Sequence, residues 1–362
     1  MDQQNTGNEI GIQRITSWLI LFSLLVVCLI YFSSFLQPIM LAIMAWYFIY
    51  VFRDYAGRLH YKGRKLPEWV ITILAFVFII LVTFGVVEIV NFNLEKIIQR
   101  FPVYVQSSKK MLDNIQAFPG FEDIQTRVIS RIEEFDFRPL LTGLLNGLSG
   151  IAGNIFLIIV YVGFILVEEK LFARKLELSF NGEGKALRAK RIIDQINESV
   201  RTYVFVKTQM SLLTGFLSYI ILILFDVDFP VLWAFLIFLL NYIPYIGSLV
   251  ATIFPAAFAV FQFQSFAMFI WIFLAIQVVQ FAIGNVLEPK VMGRTLNLSP
   301  LGVLLALTFW GVIWGILGMI LSVPITSILV IIASRVPRLR FIAIWLSETG
   351  DLHQELPEST TT

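Results

Sequence analysis

The sequence predicts an all-α polytopic membrane protein, and three observations carry that prediction. The chain is 58% hydrophobic and 14% charged with a mean hydropathy of +0.81, and it holds several apolar stretches of about 18 residues or more, long enough to cross a bilayer as helix. Two long runs, between Asp228 and Glu288 and from Thr295 to Ser334, contain no Asp, Glu, Lys or Arg. Basic residues gather in short loops, the distribution that encodes orientation in a membrane. The expected architecture is six full spans plus two broken, re-entrant helical hairpins, or eight spans if each hairpin counts as one segment, with an external amphipathic helical insertion.

Residues 1–90 read as a three-span region. A polar start with one basic residue, Arg14, precedes the apolar run Ile15 to Phe32. That run is long and lacks a small-x-small cleavage site, so it is an uncleaved first span and not a signal peptide. Phe35 to Phe52 forms the second span, after a turn marked by Ser33, Ser34 and Gln37-Pro38, and its Trp46, Tyr47 and Tyr50 suit an interfacial belt. The next loop, 53–68, sets Arg53, Arg58, Lys62, Arg64 and Lys65 against Asp54 and Glu68, which places it in the cytoplasm and the N-terminus with it. Trp69 to Val90 is the third span, with Glu88 near its outer end.

Residues 91–147 form the external insertion, with seven Lys/Arg and seven Asp/Glu. Apolar positions at three- and four-residue spacing, among them Phe101, Val105, Met111 and Ile115, then Ile124, Val128 and Ile132, predict two or three amphipathic helices broken at Pro119-Gly120. A solvated helical cap without chemistry is its simplest role. Residues 148–202 hold the fourth span, Leu148 to Val167, opened by Gly150 and Gly153, and then a cytoplasmic amphipathic helix with Ile192, Ile193, Ile196 and Val200 on one face. This helix feeds the fifth span, Tyr203 to Phe225, where Lys207 is close enough to the start to snorkel back to the interface.

The two charge-free runs contain blocks that are too long for one span. Val231 to Phe261 is 31 residues, and as a single helix it would measure about 46 Å and need a tilt of roughly 50° to fit a hydrocarbon core of about 30 Å. Leu301 to Ala333 raises the same problem. Each block is interrupted near its middle, by Asn241-Tyr242-Ile243-Pro244-Tyr245-Ile246-Gly247-Ser248 in the first and by Gly311, Gly315 and Gly318 in the second. Proline removes a backbone donor and glycine weakens a helix by about 1 kcal/mol, so both blocks have natural places to turn. Hairpins also leave Lys290 and Arg294 on the cytoplasmic side with Arg335, Arg338 and Arg340 and the C-terminus.

Residues 203–265 and 266–346 then repeat one plan: a span, a proline-marked link and a broken block. The paired prolines lie 25 residues apart in the first, Pro230 and Pro255, and 24 in the second, Pro300 and Pro324. Because the second unit starts on the opposite side of the membrane, the pair would be an inverted repeat. Irregular backbone at membrane depth is tolerated only where it is buried in protein or lines a polar cavity, so the site is expected at the interruptions. The candidate substrate-binding residues are Asn241, Pro244, Gly247 and Ser248 at the first tip, Gln277, Gln280 and Asn285 on the intervening span, and Thr308 near the second tip. Glu288, Pro289, Gly293, Arg294, Gly311 and Gly315 are the candidates for coupling or gating. Taken singly, each polar residue is equally well explained as glue between helices.

Other chemistry finds little support. One cysteine, Cys28, excludes an internal disulfide or a CxxC pair, and two histidines, His60 and His353, argue against a histidine metal site. There is no P-loop, HExxH or GxSxG, so no enzyme, cofactor or metal is expected, and transport energy must come from a gradient or a partner. The expected partners are a small-molecule substrate and the lipid bilayer, with no nucleic acid. The tail, residues 347–362, is polar, acidic and expected to be disordered.

At Asn241-Tyr-Ile-Pro-Tyr-Ile-Gly247 and at Glu288-Pro-Lys-Val-Met-Gly293-Arg-Thr-Leu-Asn-Leu-Ser-Pro300-Leu the chain resembles the AI-2E family of bacterial inner-membrane permeases, and the likeness covers nearly its whole length. The resemblance implies an integral transporter of the bacterial inner membrane. It implies a homo-oligomer, for which a pentamer is one form, with elevator-like movement of the hairpin-bearing part. Some family members export the furanone autoinducer-2, a quorum-sensing signal, and others are implicated in Na⁺/H⁺ antiport. The expected function is therefore export of a small polar organic solute such as autoinducer-2, with a cation/proton antiporter as the alternative.

Overall fold

The computed structural model describes residues 2–57, 60–61, 64–65, parts of 67–100, 154–179, 183–293 and 296–351. The insertion helices expected beyond residue 100, the opening of the fourth span at Gly150 and Gly153, Arg294 and the tail beyond Asp351 lie outside the described residues. Among the described residues the chain is helical, apart from a two-residue antiparallel pairing of His60–Tyr61 with Arg64–Lys65 in the basic loop.

The helices are α1 (Asp2–Tyr31), α2 (Ser33–Gly57), α3 (Trp69–Val82), α4 (Ile155–Ser179), α5 (Glu183–Leu224), α6 (Pro230–Leu240) and α7 (Ile246–Phe263). They continue with α8 (Phe266–Phe281), which passes through a π-helical segment, Ala282–Leu287, into α9 (Glu288–Met292), and then α10 (Pro300–Arg335) and α11 (Arg340–Leu346). Five stretches are long and apolar enough to cross a bilayer by length and composition: Ser33–Asp54, Gly184–Leu224, Ile246–Phe263, Phe266–Met292 and Pro300–Arg335. Large apolar side chains such as Leu19, Phe22 and Leu25 on α1 and Trp271 and Val278 on α8 stand exposed, a surface that only lipid or another apolar partner would cover. The chain is a multi-pass membrane protein.

The amphipathic helix and the fifth span expected on either side of residue 202 are one uninterrupted 42-residue helix, α5. No proline and no paired glycines occur within it to break the ladder. This helix is the axis of the molecule. Its Leu222 joins α6 (Trp233, Leu236, Ile237), α7 (Ala256, Phe258), α8 (Ile272, Ile276) and Leu307 of α10 in the largest buried cluster. Val200, Tyr203 and Val204, nearer its start, pack with Tyr47 of α2 and Val323 of α10.

Both long blocks reverse direction. The first does so through residues 241–245 between α6 and α7, where Tyr245 takes a left-handed φ of 60° and the Ile246 amide donates to the Pro244 carbonyl at 2.6 Å. The closure depends on Gly247, because a Cβ there would lie 1.9 Å from the Leu240 carbonyl oxygen. In α10 the reversal occurs at Gly315, whose φ of 63° and ψ of −142° are non-helical. Trp310 Nε1 donates to Thr326 Oγ1 at 3.1 Å across 16 residues, a separation that a straight helix would stretch to about 24 Å. Gly318 is to this turn what Gly247 is to the other, since a Cβ would lie 1.9 Å from the Trp310 carbonyl oxygen. Each contacted carbonyl stands ten residues after the proline that opens its block, Pro230 to Leu240 and Pro300 to Trp310. Ser299 caps the second block, its Oγ accepting the Gly302 amide at 3.0 Å, with Pro300 at the first helical position.

Candidate functional site

Along α5 the polar residues Tyr203, Lys207, Ser211, Thr214 and Ser218 recur at intervals of four, four, three and four, which puts them on one helical face. The face spans about 22 Å of helix axis, most of the hydrocarbon thickness. None of the five is more than 5% exposed. A buried polar face inside an apolar bundle is costly unless its groups are satisfied, so their partners define what it can do.

The strongest partnership is an ion pair. Lys207 Nζ donates to Glu288 Oε1 at 2.7 Å, and the two side chains are only 7% and 16% exposed. Above it the first hairpin turn docks. Asn241 Nδ2 donates to Ser211 Oγ at 3.2 Å, and the Tyr242 hydroxyl donates to Thr208 Oγ1 at 2.8 Å. The hairpin can come this close because Gly215 faces α6, where a Cβ would be 3.0 Å from the Ala234 carbonyl oxygen. Thr214 returns its proton to the Met210 carbonyl at 2.7 Å, the usual local bond of a helical threonine.

Other polar groups are left over. Tyr203 OH and Ser218 Oγ on α5, Gln277 Oε1 and Gln280 Nε2 on α8, and Ser327 Oγ on α10 are buried without a hydrogen-bond partner. Orphans of this kind are rare in a finished core, and they are the groups that water or a polar solute would satisfy.

The π segment explains how Glu288 reaches Lys207. On a continuous α-helix Gln280 and Glu288 would face directions about 80° apart. A π turn takes up one extra residue and rotates the rest of the helix back by about 100°, which brings the two onto nearly the same face. Asn285, within the π segment, is exposed.

The sequence-derived candidates therefore divide. Asn241 and Glu288 bond to the α5 face, and Gln277 and Gln280 lie on α8, which packs against α5. Pro244, Gly247 and Ser248 build the first turn, with Ser248 Oγ donating to the Tyr245 carbonyl at 3.0 Å. Gly311 and Gly315 build the second turn, Gly311 against Met319 and Gly315 at the reversal. Pro289 opens α9, and Gly293, with a φ of 60°, closes it. Thr308 stands apart from the α5 face: α10 buries Gly302, Ala306, Leu307 and Trp310, whereas Thr308 falls on the opposite face, is exposed and donates to the Leu304 carbonyl. Lys207, expected to reach toward the interface, is held within the bundle by the Glu288 carboxylate. Tyr203, Ser211, Thr214 and Ser218 are not singled out by sequence motifs, although their spacing within an apolar helix is visible.

A cavity of about 990 Å³ lies between α2, α4 and the first half of α5, lined among others by Trp46, Tyr50, Glu169, Asp194 and Asn197. Tyr47 stands between this cavity and the polar face. It lines the cavity, donates to Asn197 Oδ1 at 3.0 Å and packs in the same cluster as Tyr203. Among the described residues no group of three or more His, Cys, Asp or Glu is arranged to hold a metal ion.

Residues 19–338 match the sequence profile described as AI-2E family transporter. A protein of Haemophilus influenzae that is provisionally named a transport protein is 33% identical over 295 residues, covering 80% of this chain and 84% of its own length. One of Borreliella burgdorferi with the same provisional name is 28% identical over 351 residues, covering 94% and 93%. The AI-2 transport protein TqsA of Escherichia coli is 38% identical over 216 residues, covering 60% and 61%.

Proposed function

Since this chain belongs to the AI-2E family of transporters, we propose that it is a secondary transporter that exports a small polar organic solute such as autoinducer-2 along the buried polar face of α5. It is a transport protein and not an enzyme, as the family and its relatives are named. The observation that carries the proposal is the set of buried, unpartnered polar groups, Tyr203 OH and Ser218 Oγ on α5 and Gln277 Oε1 and Gln280 Nε2 on α8, together with the docking of Asn241 on Ser211 of α5. Amides and hydroxyls suit a neutral, hydroxyl-rich ligand. The name of TqsA points to the same solute, from a relative at 38% identity.

In this reading the two broken blocks are re-entrant hairpins and the chain makes six full spans besides. Arm lengths support it: α6, with 11 residues, measures about 16 Å, and the 15 residues of α10 before Gly315 measure about 22 Å. Each is too short for a core of about 30 Å. The matched prolines, carbonyls and glycines of the two turns favour an inverted repeat, in which the hairpin-bearing part moves as an elevator relative to α1–α4. Gly311, Gly315, Pro289 and Gly293 would serve as its pivots. The cavity behind Tyr47 then forms the cytoplasmic vestibule, with both termini on that side of a bacterial inner membrane. Assembly is as a homo-oligomer, with the exposed apolar faces covered by lipid and by neighbouring copies.

One observation favours a second reading, cation/proton antiport. Glu288 is not free in solvent but buried against Lys207, and an ionisable pair inside a bundle is the usual equipment of ion coupling. Proteoliposomes separate the two. Labelled autoinducer-2 flux that survives Glu288→Gln, without sodium-driven pH change, supports the solute exporter. Sodium-dependent proton flux that Glu288→Gln abolishes replaces it with the antiporter.

A further inference from the structure

The C-terminal edge carries a surface that the transport reading does not use. After the charge-free run to Ser334 come Arg335, Arg338 and Arg340, and no acidic residue follows until Glu348. Helix α11 turns Ala343 and Leu346 inward, against Val330, Ala333 and Leu339. Its other side presents Phe341 and Trp345, 61% and 83% exposed and four residues apart on one face. Arg338 and Arg340 stand exposed beside them.

This helix is firmly seated. The Ser299 amide donates to the Leu346 carbonyl at 2.8 Å, and Gly302 passes so close that a Cβ would be 3.0 Å from the same oxygen. Asn297 Nδ2 adds a bond to the Asp351 carbonyl at 2.9 Å. The base of the second block and the C-terminal helix therefore move together, with a large aromatic face left uncovered.

Water is a poor cover for that face. Tryptophan and phenylalanine at the end of an apolar block suit the headgroup level of a bilayer, and arginines without neighbouring acids attract anionic headgroups. We propose that the outer face of α11 with its preceding turn is a docking surface for anionic phospholipid, in which Arg338 and Arg340 take the phosphates and Phe341 and Trp345 enter the headgroup layer. Docking anchors the base of the second block to the membrane surface.

The test uses the full-length protein in nanodiscs containing brominated phosphatidylcholine or brominated phosphatidylglycerol at equal mole fraction. Quenching of Trp345 is read as the difference between wild type and Trp345→Phe. The anionic lipid should quench more strongly, with a preference of about thirtyfold, roughly a factor of five for each arginine. Arg338→Gln/Arg340→Gln should remove that preference, and Arg338→Lys/Arg340→Lys should keep it. Equal quenching by both lipids overturns the proposal, as does a preference that survives the glutamine pair. Absence of quenching, with Trp345→Cys cross-linking between copies, also overturns it and gives the face to a second copy of the chain.

Discussion

Removing one partner of the Lys207–Glu288 pair should destabilise the protein more than removing both. At 2.7 Å the attraction is about 6 kcal/mol at an effective dielectric near 20, and most of that offsets the desolvation of two buried ions. Lys207→Met leaves a carboxylate buried alone and should cost about 3–5 kcal/mol, and Glu288→Met should cost a similar amount by stranding the ammonium. The double variant strands neither charge and should recover most of the loss, giving an interaction energy of about 2 kcal/mol or more in the double-mutant cycle. The assay is unfolding in mixed detergent micelles at increasing SDS, followed by fluorescence of the eight tryptophans. Additive single effects, within about 0.5 kcal/mol, would refute the pairing. Stability restored together with transport would refute a functional role for the pair while leaving its geometry intact.

The hairpin turns make sharper demands on backbone. Gly247→Ala and Gly318→Ala should sharply reduce the yield of folded protein, since each added Cβ would sit 1.9 Å from a carbonyl oxygen, whereas Gly284→Ala, with nothing within 4 Å, should be recovered normally. Gly315→Ala should cost about 1–3 kcal/mol in the same SDS titration, because its φ of 63° with ψ of −142° suits glycine alone. Thr326→Val removes the acceptor of the buried Trp310 indole and should cost about 1–3 kcal/mol. In a Cys28→Ser background, cysteines at 262–265 should be labelled from outside and those at 290–293 from inside; the reverse pattern would exclude the hairpin topology.

Local punctuation is the legible part of this sequence. Pro244 with Gly247, and Gly311 with Gly315 and Gly318, mark the two reversals because proline and glycine act on the backbone where they stand. Asn241 and Gln280 stand out as amides in apolar surroundings, and both are buried. The α5 face is readable in principle from its four-and-three spacing, but Lys207 alone looks like an interfacial lysine. Its partner lies 81 residues away, and only tertiary packing brings them together. Nothing in Ala282-Ile-Gly-Asn-Val-Leu287 announces a π turn, so the facing of Asn285 and the reach of Glu288 are hidden in the sequence. Thr308 stands near a break, yet the face it occupies is set by which side of α10 meets the core.

The central claim is that solute moves along the polar face of α5, and aqueous accessibility along that helix tests it most directly. Ser211→Cys, Thr214→Cys and Ser218→Cys, each in a Cys28→Ser background, would be compared with Leu212→Cys and Phe216→Cys on the exposed apolar side. The measurement is the rate of reaction with a membrane-impermeant, water-soluble thiol reagent during turnover, with and without autoinducer-2. Modification at 211, 214 and 218 that substrate slows, with little at 212 and 216, is the predicted result. Unreactive positions at 211–218, or reactivity that substrate leaves unchanged, would contradict the pathway and return these residues to helix packing.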